Sequence, residues 1–318
     1  MDKRGNGGQG MKKRTKIIIG AVVGIILLFY LGVVVFLLVG GADFGPTGDT
    51  VAVISLNGPI SDSGEENLLM GAMGITPDFV RRQLDRARDD FAVKAIVIKI
   101  DSPGGAVGAS QEIADEIRRT EKPIVIFMGD MVASGGYYIS APADKIVAKE
   151  GTLVGSIGVI SQFMDLGGLY EKLGIKIETI KSGEHKDMFS RELTKEEQKL
   201  WQTLSDELYG QFIKEVAEGR NLDVEEVKKL ATGELFSGTQ AKKLGLVDVL
   251  GSYQDAIDVA AELAEIEEPI VKEYPARTFF ESFFELSSYV NNLIKAKFFG
   301  SDYVILESLK DLPPIPKY

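Results

Sequence analysis

Short apolar runs alternate with segments of helical spacing from residue 50 onward, and this alternation restricts the fold more than any other feature. Residues 94–100, KAIVIKI, form an almost continuous apolar run of the kind found in strands buried on both faces. Residues 77–90 place Val80, Leu84 and Ala87 on one helical face. Because helices connect parallel strands through right-handed crossovers, we predict an α/β fold.

The predicted strands cover residues 50–58, 94–100, 123–129, 145–149, 155–161 and 176–183. The predicted helices cover residues 77–90, 107–119, 166–173 and 195–219. Thr194 and Glu197 have the spacing of a capping box at the start of the last of these helices.

Residues 17–39 form an apolar segment without a charged side chain. A helix of this length spans roughly 34 Å, enough to cross a hydrocarbon core of about 30 Å. Residues 1–16 are basic and end in 12-KKRTK-16. Because basic flanks stay in the cytoplasm, we predict a single-pass anchor in the cell membrane, with a cytoplasmic N-terminus and an extracytoplasmic main domain.

A cleaved signal peptide is the competing interpretation of this segment. Signal peptides have an apolar region of about 7–15 residues followed by a small-residue cleavage site. Residues 17–39 are longer and lack a clear A-x-A site, so we favour the anchor. Residues 40–48, GGADFGPTG, then form a flexible linker, and residues 49–275 form the main domain.

Residues 276–318 are predicted to form a C-terminal helix and tail. Residues 278–298 carry aromatic and aliphatic side chains on one helical face, which predicts packing against the core or oligomerisation. Membrane contact is the alternative. Residues 311–318, DLPPIPKY, are expected to be extended or disordered.

Composition excludes several functional classes. The chain has no cysteine, which excludes disulfides, thiol nucleophiles and cysteine-ligated metals. Its single histidine, His185, excludes an HExxH zinc site. The net charge is −11, and residues 1–39 carry six basic and one acidic side chain, so the remainder carries about −16. This acidic balance argues against nucleic-acid binding.

Two turns of small residues follow predicted strands. Residues 101-DSPGG-105 directly follow the predicted strand 94–100, and the N–H groups of Gly104 and Gly105 could form half of an oxyanion hole. Ser134 follows strand 123–129 and lies between an alanine and two glycines, so its hydroxyl is open to approach. A helix over the following YYISAPA would add positive dipole near that oxygen. Sites in α/β folds lie at such strand ends.

A serine nucleophile needs a general base, and the sequence offers two. The polar loop 182–189, SGEHKDMF, contains His185, Lys186 and Asp187. His185 could act with Asp187, whereas Lys186 could act if burial favours its neutral amine. Spacing alone does not choose between them. The G-x-S-x-G pattern of α/β-hydrolases is absent, since residue 132 is valine.

Several motifs together resemble the bacterial signal peptide peptidase family, also called the protease IV family. They are DSPGG at 101–105, ASGGYY at 133–138, GTLVGSIGV at 151–159, SGEHKD at 182–187 and ELFSGTQAKKLGLVD at 234–248. The resemblance covers roughly residues 50–265 and is to the short, single-repeat form. It implies a crotonase-like and Clp-protease-like fold, a superhelix of repeated β-β-α units.

The resemblance also implies roles for particular residues. Ser134 corresponds to the nucleophile of the family, Lys186 to the general base, and Ser156 to a supporting serine that hydrogen-bonds the lysine. The expected oxyanion donors are the backbone N–H groups of Gly104, Gly105 and Gly135. If these roles apply, His185 takes no part in catalysis.

The implied activity is peptide-bond hydrolysis through a Ser-Lys dyad and an acyl-enzyme, without a cofactor or metal ion. The implied substrates are remnants of cleaved signal peptides and other short or unfolded peptides at the membrane. The implied assembly is a ring-like homo-oligomer with the sites inside.

Two other functions are compatible with such a chain. One is an enzyme of coenzyme A thioesters on the same fold, which the predicted export disfavours because that cofactor is cytoplasmic. The other is a non-enzymatic membrane scaffold, because a fold alone does not define a function.

Overall fold

The computed structural model describes residues 48–62, 66–67, 71–72 and 74–274, together with the helical positions Gly24 and Tyr30. The chain divides into two units, Met1–Gly48 and Asp49–Tyr318. Most of the predicted anchor at 17–39, and the predicted C-terminal helix and tail at 276–318, lie outside the described residues. Among the residues that are described, no helix combines the length and the apolar character needed to cross a membrane.

The strands of the described region form one eight-stranded sheet and one small hairpin. The strands are β1 (Thr50–Asn57), β2 (Glu66–Asn67), β3 (Gly71–Ala72), β4 (Val93–Ser102), β5 (Ile124–Ala133), β6 (Lys145–Ala148), β7 (Leu153–Gly155), β8 (Leu235–Ser237), β9 (Val249–Leu250) and β10 (Ile270–Tyr274). The main sheet has the order β10-β1-β4-β5-β6-β9, and β7 pairs with both β5 and β8. All these pairings are parallel except β7 with β8. The hairpin is β2 with β3.

Helices connect these strands, as a parallel sheet requires. They are α1 (Pro77–Asp89), α2 (Val107–Arg118), α3 (Gly135–Ser140), α4 (Gly167–Lys172), α5 (Lys195–Arg220), α6 (Val224–Leu230), α7 (Gly238–Lys243) and α8 (Tyr253–Leu263). The predicted capping box of α5 is confirmed. The Thr194 hydroxyl accepts a hydrogen bond from the Glu197 N–H at 3.2 Å, and the Glu197 carboxylate accepts one from the Thr194 N–H at 2.9 Å.

The main sheet is buried on both faces, as strand β1 illustrates. Val51 and Val53 point to one face, where they belong to the same apolar cluster as residues of α8. Ala52 and Ile54 point to the other face, into a larger cluster that includes residues of α1, α2, α3 and α5. The near-continuous apolar character of the strands follows from this double burial.

Strand β5 changes partner along its length, and this change positions the candidate site. Its first part pairs with β6, and from Met131 it pairs with β7. The register between β4 and β5 shifts at this point, and the Asp101 carboxylate accepts a hydrogen bond from the Met131 N–H at 3.2 Å. The end of β5 therefore lies beside the end of β7, with Ala133 opposite Gly155.

The α/β prediction is confirmed, but the extents of some elements are wrong. Residues 176–183 form no strand, since no described strand lies beside them to complete a ladder. The predicted strand 155–161 is only the short β7, because Gly155 and Ser156 both have positive φ, 106° and 50°, and leave the extended conformation. The helix after Ser134 begins at Gly135 rather than at the tyrosines.

Candidate active site

Ser134 joins strand β5 to helix α3 in a backbone conformation, φ 51° and ψ −125°, that residues other than glycine rarely adopt. Its N–H donates a hydrogen bond to the Gly155 carbonyl at 2.8 Å. Its carbonyl accepts hydrogen bonds from the N–H groups of Tyr137 and Tyr138 at 2.9 and 3.0 Å. Such conformations cost about 1–3 kcal/mol and persist where the surroundings impose them, often at functional sites.

The turn 101-DSPGG-105 packs directly against Ser134. Gly104 has a φ of 98°, and a Cβ at Gly104 would lie 2.6 Å from the Gly135 nitrogen and 2.8 Å from the Ser134 Cβ. A Cβ at Gly135 would lie 3.1 Å from the Gly105 nitrogen. The glycines of both turns are therefore needed for the close approach of the two backbones.

The backbone N–H groups of these glycines differ in their partners. The Gly104 N–H donates to the Ser102 hydroxyl at 3.1 Å. In the part of the chain that the structure describes, the N–H groups of Gly105 and Gly135 donate to no protein acceptor. These two amides are available to an oxyanion that develops beside the Ser134 hydroxyl.

Ser156 follows β7 as Ser134 follows β5. Because Ala133 is paired with Gly155, the two serines emerge side by side from parallel strands. The Ser156 N–H donates to the Glu234 carbonyl at 2.8 Å, which fixes its unusual backbone. Both serines line one open cleft of about 420 Å³.

A second, smaller cavity of about 90 Å³ also adjoins Ser134. Its apolar lining consists of Val107, Tyr138, Val159, Ile160, Leu208 and Phe212. The rings of Tyr138 and Phe212 contact each other with their centroids 5.1 Å apart. This lining was not predicted from the sequence. The i, i+4 spacing of Leu208 and Phe212 on α5 was the available signal.

The predicted base, Lys186, is separate from this group of residues. Its side chain is exposed, and it lines neither of the two cavities that contain Ser134. Within the described ranges, its Nζ makes no hydrogen bond or ion pair. One chain therefore brings together the two serines and the three glycines, but not the lysine.

Both neighbours of the predicted base are held by charged groups. His185 Nδ1 lies 3.1 Å from Glu197 Oε1. The Asp187 carboxylate accepts hydrogen bonds from Arg191 at 2.9 Å and Lys181 at 2.7 Å. These hydrogen bonds, of which the one from Arg191 has the larger effect, lower the pKa of Asp187 to about 2. The loop is thus ordered around Lys186 although the Lys186 side chain is unengaged.

The described residues include no group of three or more histidine, aspartate or glutamate side chains that could hold a metal ion. The polar groups that surround Ser134 are hydroxyls and backbone amides, which suit the stabilisation of a developing negative charge.

A strained serine beside free amide N–H groups, at the ends of parallel strands, has the geometry of a hydrolase that works through a covalent serine intermediate. The family model "Peptidase family S49" matches residues 116–267. A protein of Enterococcus faecium named "Putative signal peptide peptidase SppA" is 40% identical over 235 residues, which cover 72% of this chain and 68% of that protein. "Serine protease SPPA, chloroplastic" of Arabidopsis thaliana is 34% identical over 223 residues, 69% of this chain and 33% of that protein.

The chain belongs to peptidase family S49, and it is a serine peptidase. The matched region spans about two thirds of the Enterococcus relative and one third of the Arabidopsis relative. Among solved structures, a mutant ClpP1 of Listeria monocytogenes is similar at a TM-score of 0.43 and 17% identity, over 64% of this chain and 94% of that chain.

Proposed function

We propose that the protein is a membrane-anchored serine endopeptidase in which Ser134 is the nucleophile and Lys186 is the general base. The single observation that carries this proposal is the strained Ser134 backbone, packed against the free amides of Gly105 and Gly135. Lys186 rather than His185 is taken as the base because the stretch SGEHKD at 182–187 resembles the family motif that carries a lysine base at this position.

The neutral amine of Lys186 takes the proton of the Ser134 hydroxyl as the serine oxygen attacks the peptide carbonyl. The resulting ammonium gives this proton to the leaving amine, so the peptide bond breaks and an acyl-enzyme remains. Water then attacks the ester, its proton passes to Lys186, and the Ser134 oxygen is reprotonated as the new carboxyl terminus leaves. Ser156 accepts a hydrogen bond from the amine and orients it.

The oxyanion of each tetrahedral intermediate would be held by the N–H groups of Gly105 and Gly135. The Gly104 N–H is a weaker candidate because it already donates to Ser102. The role of Gly104 is then to let the turn approach Ser134, as its positive φ and the absence of space for a Cβ indicate.

We propose that Lys186 reaches Ser134 of a neighbouring subunit in a ring-like homo-oligomer. The segment that precedes Lys186 exposes large apolar side chains, with Ile177 at 61% and Ile180 at 95% exposure. Such side chains are expected to be covered by another surface. Burial of the amine in that interface favours its uncharged form. The crotonase-like and Clp-protease-like superhelix belongs to the same proposal.

The substrates would be remnants of cleaved signal peptides and other short or unfolded peptides. The apolar cavity beside Ser134 suits an apolar side chain next to the cleaved bond, as a membrane-derived peptide would supply. The apolar segment 17–39 with its basic flank supports a single-pass anchor with an extracytoplasmic peptidase domain. The relative from Enterococcus bears the name of a signal peptide peptidase.

The test is hydrolysis of a short apolar fluorogenic peptide by the full-length chain in detergent. Ser134→Ala and Lys186→Ala should each abolish turnover, and His185→Ala, the matched control, should retain most of it. Turnover by Lys186→Ala together with its loss in His185→Ala would overturn the dyad. Failure of the wild-type serine to react with a fluorophosphonate would instead favour a non-enzymatic scaffold.

A further inference from the structure

The loop that carries Lys186 is joined to the start of helix α5 by a small network of charged groups around the buried Glu197. Arg191 forms a two-point ion pair with Glu197, at 2.8 and 2.7 Å, and also donates to Asp187 at 2.9 Å. The Glu197 side chain is only 1% exposed. Glu197 in addition contacts His185 and accepts the Thr194 N–H. One arginine thus joins the helix to the loop.

This network holds both sequence neighbours of Lys186, whereas the Lys186 amine takes no part in it. His185 is held through Glu197, and Asp187 through Arg191. With residues 185 and 187 both fixed, the backbone of Lys186 has little freedom, and only its side-chain torsions remain. Planar arginine is suited to such two-point contacts, which a lysine cannot reproduce.

An aromatic cluster supports the same loop from its other end. The Trp201 ring lies 5.7 Å from the Phe189 ring and 5.1 Å from the Phe163 ring, centroid to centroid. The Trp201 indole N–H also contacts the Met188 sulfur at 2.9 Å. Since Trp201 is the only tryptophan of the chain, its fluorescence reports on this loop.

We propose that Arg191 and Glu197 are positioning residues, which present the Lys186 amine to the serine it activates. This inference rests on the proposed function, because it takes Lys186 to be the general base. Hydrogen bonds from Arg191 lower the pKa of Glu197, and the hydrogen bonds with Glu197 raise the pKa of Arg191. Both groups therefore stay charged near neutral pH, and the ion pair is always present to hold the loop. Misplacing a reacting group by about 1 Å can cost about 100-fold in rate.

The experiment compares Arg191→Ala, Arg191→Lys and Glu197→Gln with wild type in the full-length protein. Arg81→Ala is the matched control, because the exposed Arg81 of α1 also bridges two carboxylates, Asp78 of the same helix and Glu112 of α2. We expect Arg191→Ala to lower kcat by about 100-fold while KM changes less than about threefold. Arg191→Lys and Glu197→Gln should give intermediate losses of kcat, and the control should match wild type.

Two further readouts separate positioning from general destabilisation. Millimolar guanidinium should restore part of kcat in Arg191→Ala, since a free guanidinium ion can occupy the gap between the two carboxylates. It should also return the Trp201 emission of this variant towards the wild-type spectrum. An unchanged kcat in Arg191→Ala overturns the inference. So does a loss of kcat that neither guanidinium nor Arg191→Lys relieves.

These outcomes are distinguishable from a failure of the proposed function. If Lys186→Ala keeps full turnover, then the dyad assignment fails whatever Arg191 does. If Lys186→Ala is inactive and Arg191→Ala is as fast as wild type, then the dyad stands and the positioning role fails.

Discussion

The backbone N–H of Ser134 donates a hydrogen bond of 2.8 Å to the carbonyl of Gly155. This bond continues the pairing of β5 with β7 by one residue, and it brings Ser134 beside Ser156. Both serines have positive φ, 51° and 50°, so both strands end in a backbone conformation that residues other than glycine rarely adopt. The pair is therefore built by backbone pairing, and each side chain is presented to the same cleft.

This arrangement predicts that the Ser156 hydroxyl contributes to the rate. A lost hydrogen bond to a charged group is worth about 1.5–3 kcal/mol, or roughly 10- to 150-fold in kcat. We expect a loss in this range for Ser156→Ala and also for Ser156→Gly. The glycine variant accommodates the positive φ, so its loss reports the hydroxyl alone. Full activity of Ser156→Gly in the peptide assay would show that the hydroxyl is idle.

A substitution at Gly104 tests the contact between the two turns. Gly104→Ala should abolish turnover, because the added Cβ would meet the Gly135 nitrogen at 2.6 Å and the backbone has a φ of 98°. Gly108→Ala is the matched control: Gly108 lies in α2, and its Cβ would have no neighbour within 4 Å. The control should keep its activity, because the added Cβ meets no other atom. Equal activity of the two variants would contradict the close packing of the site.

The sequence was sufficient to predict the α/β class and most of the strands and helices, because double burial and helical periodicity leave strong local patterns. It also singled out Ser134 and the DSPGG turn, which the structure packs against each other, since glycines mark close approaches of the backbone. The network of Arg191 was not predicted. It depends on charges brought together by the fold of a loop, and separate surface-type residues such as Lys181 and Asp187 carry no pattern that indicates a pair.

The incorrect strand at 176–183 has a different cause. Strand formation needs a neighbouring strand as well as a local preference, and the described chain provides none there. The pattern of exposed Ile177 and Ile180 is the reason that we place a second subunit at this segment.

The proposed contribution of Lys186 from a neighbouring subunit predicts complementation. Ser134→Ala and Lys186→Ala homo-oligomers should each be inactive. When the two homo-oligomers are dissociated and reassembled together, activity should return. A complete site needs a Lys186→Ala subunit, which supplies Ser134, beside a Ser134→Ala subunit, which supplies Lys186. In an equal mixture with random neighbours, about a quarter of the sites meet this condition, so the rate should reach up to about a quarter of the wild-type rate. The measurement is peptide hydrolysis before and after mixing, with Ser134→Ala mixed with itself as the control. No recovery from mixed assemblies of verified composition would place both groups in one chain.

The Asp187 carboxylate predicts a defined pH dependence of stability. Arg191 first, and then Lys181, lower its pKa to about 2, whereas an unfolded aspartate titrates near about 3.9. Its stabilising effect is therefore fully present above about pH 4 and is lost as the pH falls towards 2. The melting temperatures of wild type and Asp187→Asn should differ by a constant amount from pH 7 to about pH 4 and then converge. Asp258→Asn, on the exposed face of α8, is the control for the removal of one carboxylate elsewhere on the surface. If the difference in melting temperature between wild type and Asp187→Asn already disappears between pH 7 and 5, then another titrating group holds the loop.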